Sequence, residues 1–102
     1  MKLLVIATIK EQVPEVSKLL KKAAVPVFST IDAVGIKNMV DENLTDDWFG
    51  RGVGEFESAF IVSFTAAHLV DKVLESIQTI NNELTEAYPI RAFVLPVENF
   101  LK

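Results

Sequence analysis

The sequence contains no cysteine and only one histidine in 102 residues. Without cysteine the chain can form no disulfide, no thiolate metal site and no cysteine nucleophile. A zinc site made of several histidines is likewise excluded within one chain, and we predict that His68 is a structural side chain in the first turn of a helix. The absence of cysteine fits a reducing compartment, so we expect a cytoplasmic protein.

Long hydrophobic runs are also missing. The longest apolar stretch that we recognise, residues 3–9, has seven residues, whereas a membrane-spanning helix needs about 20. It lacks the small-residue cleavage site that a signal peptide requires. We therefore predict no targeting segment and no membrane insertion, and we interpret residues 3–9 as a buried strand.

Basic residues are outnumbered by acidic ones. The chain has 10 Lys and Arg residues against 14 Asp and Glu residues, which gives a net charge of −4. Because a basic surface supplies most of the affinity for nucleic acid, we expect no binding to DNA or RNA. The charge is concentrated in residues 38–57, NMVDENLTDDWFGRGVGEFE, named here the acidic segment. This segment has a net charge of −5, and the rest of the chain has +1.

Recognisable catalytic patterns are absent as well. No serine lies in a nucleophile-elbow pattern. Residues 50–54 (GRGVG) are superficially like a phosphate-binding glycine loop, but such a loop follows a strand and opens a helix, and these glycines precede a strand. We interpret them as a flexible turn or hinge, and we predict that the protein is not an enzyme.

Apolar periodicity predicts two helices. Apolar residues recur every three or four positions in residues 12–24 and again in residues 66–82, as in helices with one buried face. Pro14 fits the first turn of the first helix, where its missing N–H costs nothing. Thr65 is predicted to cap the second helix.

Runs rich in β-branched and aromatic residues predict four strands, at residues 3–9, 27–36, 58–64 and 90–97. The last run contains Pro96, which cannot donate a backbone hydrogen bond to a neighbouring strand. This proline therefore implies an edge strand or a bulge.

The predicted elements follow the order β-α-β-β-α-β, which indicates an α+β protein with a ferredoxin-like fold. In this single domain, residues 1–102, two helices cover one face of a four-stranded antiparallel sheet. Apolar residues on the other face need a partner, so we expect an oligomer. The acidic segment is the connection between the second and third strands, and a connection of this length usually has a function.

Two features of the acidic segment could bind a partner or an ion. Clustered carboxylates could hold calcium or magnesium, although the EF-hand spacing is absent and a solvated acidic loop is the favoured interpretation. These carboxylates belong to Asp41, Glu42, Asp46 and Asp47. Trp48 and Phe49 either fold back onto the body of the protein or anchor a protein partner, and both interpretations remain open.

Three stretches carry a likeness to a known family. They are MKLLVIATIK at residues 1–10, FIVSFTAAHLVDKVLESIQ at residues 60–78 and IRAFVLPVENF at residues 90–100. In this order they resemble the first strand, the third strand with its LVEKVIEAI-type helix, and the KIFVSPVEEV-type last strand of the nitrogen-regulatory PII family. The resemblance covers most of the chain outside the acidic segment, and it implies a trimeric, PII-like signal transduction protein.

The resemblance also implies a role for the acidic segment. The segment lies where the PII family has its T-loop, a mobile arm that docks onto transporters, enzymes or regulators. The arm changes shape with the ligand bound below it, which is an order–disorder switch coupled to a binding site. The residues expected to contact a partner protein are Asp46, Asp47, Trp48, Phe49 and Arg51.

The ligand implied by the resemblance is typically an adenine nucleotide, bound in clefts between subunits at the base of this loop. The ligand-binding residues expected here are Phe28, Ser29, Gly35, Lys37, Asn38, Phe64 and Arg91. The two phenylalanines and the serine would line the base-binding part of the cleft. Gly35 matches the glycine that ends the second strand, and Arg91 stands at a lysine that contacts phosphate.

One segment departs from the family pattern. Residues 81–89 (NNELTEAYP) form a predicted connector where the family has a glycine-rich TGxxGDG phosphate loop. They contain no glycine, and Glu83 and Glu86 would repel phosphate. Two alternatives therefore stay open: a trimeric structural or assembly module with a constitutive docking arm, and a metal-binding module like the related divalent-cation-tolerance family.

Overall fold

The structure, a computed structural model, describes residues 1–37, 54–83 and 89–102. A short 3-10 turn precedes the first helix. The strands are β1 (Lys2–Ile9), β2 (Ser29–Lys37), β3 (Gly54–Thr65) and β4 (Arg91–Pro96), and the helices are α1 (Val13–Lys22) and α2 (Ala67–Glu83). The predicted types of element and their order along the chain are confirmed.

The described strands form one antiparallel sheet in the order β2-β3-β1-β4. β1 and β3 lie at its centre, where Ile6 pairs with Ile61. β4 is an edge strand, and Pro96 is its last residue. Pro96 predicted an edge strand or a bulge, and the strand order shows the edge position. The architecture is an α+β open sheet with two helices, which is compatible with the predicted ferredoxin-like fold.

The hydrophobic core lies between the two helices and one face of the sheet. Strand residues alternate between faces, so Leu4 and Ile6 of β1 point toward the helices together with their cross-strand neighbour Ile61. The buried cluster contains Leu4, Ile6, Val16, Leu19, Leu20, Ala23, Val25, Ile61, Val73, Ile77 and Ile90. The apolar stripes that predicted the helices are the faces that they bury here.

A Schellman motif ends α1. Ala24 has a φ of 64°, in the left-handed region. Its N–H donates to the carbonyl of Lys21 at 3.1 Å, and the Val25 N–H donates to the carbonyl of Leu20 at 3.0 Å. This pair of bonds satisfies the last carbonyls of the helix and turns the chain toward β2. An alanine occupies the position where glycine is the usual residue.

The prediction that Thr65 caps α2 is wrong. Thr65 is the last residue of β3, where it pairs with Lys2 of β1. Its buried hydroxyl has no hydrogen-bond partner within the part of the chain that the structure describes. The carbonyl of Ala66 instead accepts a hydrogen bond from the Leu69 N–H at 3.0 Å. The pairing of β3 with β1 therefore extends to Thr65, which local propensity had predicted to be the cap of the helix.

The connection between β2 and β3 is shorter than the predicted loop of residues 38–57, because the last four residues of the acidic segment belong to β3. β3 begins at Gly54, and Phe56 pairs with Gly35 of β2. Pairing with β1 starts only at Ser58. Residues 54–57 and 34–37 thus form a two-stranded arm beyond β1. The polar–apolar alternation of Glu55, Phe56 and Glu57 is typical of a strand. The two glutamates were instead assigned to the acidic segment because of their charge.

α2 continues through Glu83 into the predicted connector of residues 81–89. Asn81 joins this helix to the start of β4. Its side-chain N–H donates to the carbonyl of Ile90 at 2.8 Å, and the Ile90 N–H donates to Asn81 Oδ1 at 2.8 Å. Because Ile90 is buried, these two bonds fix where the chain returns to the sheet.

Candidate functional site

The sheet face turned away from the helices is the candidate functional surface, named here the open face. Residues paired across antiparallel strands point to the same side, so the register identifies its members. Its apolar residues are Leu3, Val5, Ala7, Ile9, Ile31, Ala33, Phe56, Phe60, Val62, Phe64, Phe93 and Leu95. No described helix packs on this face, because both helices cover the opposite one.

Several of these side chains are substantially exposed. Phe64 is 63% exposed, Ile31 49% and Leu95 45%. Val34 and Ile36 of the two-stranded arm are exposed on its other side, where the helices do not reach. A soluble monomer rarely exposes a contiguous apolar patch of this kind, and such patches usually mark an interaction surface.

Polar groups on the open face are few. The Ser58 hydroxyl is buried and donates to the carbonyl of Ala33 at 3.4 Å. Arg91 is partly buried and lies in a cross-strand row with Ala7, Phe60 and Ile31. Arg91 therefore places a positive charge on the open face. A negatively charged ligand on this face would therefore meet a guanidinium in apolar surroundings, where charge–charge attraction is strong.

Two of the predicted ligand-binding residues come together at one end of the open face. Ser29 pairs with Val62, two residues from Phe64 on the same face of β3. Such diagonal neighbours lie about 7–8 Å apart. The Ser63 hydroxyl donates to the Val27 carbonyl at 2.6 Å and holds this end of β2 against β3. Phe28 instead packs against the hydrophobic core from the helix side.

The remaining predicted ligand-binding residues lie elsewhere. Gly35 and Lys37 are at the other end of β2, roughly 20 Å or more from Ser29 at about 3.3 Å per residue. Asn38 lies outside the described residues. A single chain therefore does not gather the predicted set, and the prediction of a cleft between subunits stays a prediction.

Gly35 has a specific steric environment. A β-carbon at this position would overlap the Cζ and Cε2 ring atoms of Phe56, its partner across the ladder. A glycine has no side chain to cover its own backbone. An aromatic ring placed over a glycine in an edge strand shields this backbone from water. Gly35 lies two residues before the end of β2, and it serves here to accommodate this ring.

The predicted partner-binding residues Asp46, Asp47, Trp48, Phe49 and Arg51 all lie outside the described residues, as do Asp41 and Glu42. Within residues 1–37, 54–83 and 89–102, no group of three or more metal-binding side chains occurs. His68 is exposed in the first turn of α2, which is the position predicted for it.

A groove between the two helices was not predicted from the sequence. It has a volume of about 590 Å³. Its apolar lining residues are Leu19, Ala23 and Ile80, and its polar lining residues are Glu15, Lys18, Lys22, Lys72, Glu75, Ser76 and Thr79. Lys18 and Lys22, four residues apart on α1, could have indicated a polar groove along this helix. The sequence does not show, however, that α2 packs beside them. The groove lies on the helix side of the sheet, away from Ser29 and Phe64 on the open face. Its mixed charges favour no one ligand.

The fold and the open face define a class of protein. It is a small α+β domain with an antiparallel sheet that exposes one apolar face. None of the described helices is both long enough and apolar enough to cross a membrane. Comparison of the chain with known family models and with curated proteins finds no match.

Proposed function

We propose that the protein is a non-enzymatic, PII-like regulator. It assembles as a homotrimer, binds a small ligand in the clefts between subunits and signals to a protein partner through the acidic segment. The observation that carries this proposal is the combination of an uncovered apolar sheet face with an acidic insertion at the end of a two-stranded arm. The resemblance of three sequence stretches to the PII family supports it.

The open face supports the assembly step. Burial of apolar surface contributes about 25 cal/mol for each Å² removed from water, and this face offers side chains from all four described strands. Association of identical copies would cover them without requiring another protein. Closed symmetric assemblies are the usual form of such homo-oligomers.

The two-stranded arm supports the signalling step. Residues 34–37 and 54–57 continue the ladder between β2 and β3 beyond β1. The rest of the acidic segment, residues 38–53, connects these two strands of the arm. A ligand that binds beside this arm with different affinities for two arm conformations would shift their populations. The carboxylates and aromatic side chains of the segment would then be presented to a partner in one ligand state.

Arg91 supports the choice of an anionic ligand, such as the phosphate group of an adenine nucleotide. A guanidinium can donate two parallel hydrogen bonds to phosphate. Ser29 and Phe64 offer a hydroxyl and an exposed ring near each other at the end of the sheet. A base can stack on such a ring, while the hydroxyl hydrogen-bonds to its edge.

Isothermal titration with ATP, ADP, AMP, bicarbonate and divalent metal ions tests the proposal. We expect at least one phosphate-containing ligand to bind, and Arg91→Gln to weaken its binding by about tenfold or more. Lys18→Gln in the helix groove is the matched control, since it removes the same charge on the opposite side of the protein. Absence of binding across the panel, with unchanged protease sensitivity of the acidic segment, would contradict the proposal.

A structural or assembly module is the second candidate function. The observation that favours it is the helical conformation of residues 81–83, where the PII family begins its glycine-rich phosphate loop. In this case a partner would bind the acidic segment with or without any ligand. A pulldown that is unaffected by the same ligand panel, but is lost on Trp48→Ala, would select this function.

A further inference from the structure

The C-terminal segment, residues 97–102, presents two uncovered apolar side chains. Phe100 is 66% exposed and Leu101 is fully exposed. The Phe100 N–H donates to the side chain of Asn99 at 2.9 Å, which is a local bond that fixes no contact with the sheet. The segment thus carries an apolar pair that its own chain leaves in water.

An uncovered apolar row lies at the end of the sheet where this segment begins. Leu3 of β1 pairs with Leu95 on one side and with Phe64 on the other. The three side chains lie next to each other on the open face, and this row is named here the apolar row. Phe64 and Leu95 are largely exposed, and Leu3 is partly exposed. None of the three is charged.

Chain length does not prevent contact within one copy. The apolar row spans two strand spacings, or about 10 Å, whereas six extended residues reach up to about 20 Å. The C-terminal segment nevertheless leaves both the row and its own apolar pair exposed. Because the pair and the row are both exposed within one chain, a second copy is needed to bring them together.

We infer that Phe100 and Leu101 of one copy pack on the apolar row, Leu95–Leu3–Phe64, of a second copy. The contact joins different surfaces of identical chains, and a contact of that type closes a ring when the rotation between copies allows it. The inference rests on the proposed homotrimer and goes beyond it by naming the segment that links one subunit to the next.

Cross-linking between two different single-cysteine proteins tests this contact, because the chain has no cysteine of its own. Ser29→Cys places a thiol beside Phe64, and Lys102→Cys places one beside Leu101, while the apolar side chains themselves stay intact. Mixed with a short bis-maleimide, the two proteins should form a heterodimeric product. Ser76→Cys, also a serine replacement but on the helix side, is the control partner and should give at least about tenfold less product.

Sedimentation of a Phe100→Ser, Leu101→Ser protein separates this inference from the proposed assembly. We expect its association to be at least about tenfold weaker than that of the unchanged protein. If the unchanged protein sediments as a monomer at all concentrations, the homotrimer and the C-terminal contact both fail. If the substituted protein associates as tightly as the unchanged one, and Ser29→Cys cross-links no better than Ser76→Cys, only the C-terminal contact is wrong.

Discussion

At the scale of single residues, two small side chains show opposite steric requirements. Gly35 has no space for a β-carbon because the ring of Phe56 lies over it. Ala24 carries a β-carbon in a left-handed conformation that glycine adopts without strain. Gly35 was singled out from the sequence because it matches a family glycine, whereas nothing in the sequence distinguished Ala24 from its neighbour Ala23.

Replacing Ala24 with glycine should stabilise the protein. The substitution relieves the strain of the left-handed conformation, which outweighs the greater flexibility of glycine in the unfolded chain. We expect a gain of about 0.5–1 kcal/mol in the free energy of unfolding, measured by urea denaturation. Ala23→Gly is the matched control, since Ala23 has a φ of −80°, and it should lose a similar amount. Equal effects of the two substitutions would show that the Schellman conformation is not strained.

At the scale of elements, hydrogen bonds from side chains set where strands and helices meet. Asn81 on α2 bonds both backbone groups of Ile90 just before β4, and Ser63 on β3 bonds the carbonyl of Val27 just before β2. All three bonds fix a residue just before an edge strand. The edge strands have a neighbour on one side only, so these bonds hold their starting points in register.

Asn81→Ala should destabilise the junction between α2 and β4. It leaves the buried N–H and carbonyl of Ile90 without partners, at a cost of about 1–3 kcal/mol for each unsatisfied group. Asn81→Asp keeps the acceptor for the Ile90 N–H and loses only the donor, so it should cost less. Asn82→Ala, one residue further on the exposed side of the helix, is the control. Urea denaturation of the three variants checks this order, and equal stability of Asn81→Ala and Asn82→Ala would contradict it.

At the scale of the whole molecule, the main feature is the difference between the two faces of the sheet. One face is buried beneath α1 and α2, and the open face has apolar side chains from β1, β2, β3 and β4. The helix layer accounts for the stability of a single chain. The open face leaves apolar side chains exposed, and the two-stranded arm extends the same sheet beyond β1.

The midpoint of thermal unfolding should therefore depend on protein concentration. If copies associate through the open face, mass action stabilises the folded state, and the midpoint should rise by several degrees over a hundredfold increase in concentration. Phe64→Ser combined with Leu95→Ser should lower the midpoint and abolish this dependence. Leu74→Ser, which changes an exposed leucine on α2, should leave the dependence intact. A midpoint that is independent of concentration in the unchanged protein would contradict association.

Much of the fold could be predicted from the sequence. The 3.6-residue stripes and the β-branched runs predicted each described helix and strand. Pro96 predicted either an edge position or a bulge for the last strand. The errors fell at boundaries. Thr65 belongs to β3 because it pairs with Lys2, and residues 54–57 belong to β3 because β2 provides a partner. Local propensity cannot detect a partner strand that is distant in the chain.

Less of the candidate site could be predicted. The sequence by itself determined the element order, the helix stripes and the presence of apolar residues on both faces of the sheet, because periodicity depends on neighbours along the chain. Only the tertiary structure decided that Leu95, Leu3 and Phe64 lie in one row, that Phe56 covers Gly35, and that Ser29 and Lys37 are separated by the length of β2. These juxtapositions depend on strand register and strand order, which are set by contacts between residues far apart in sequence.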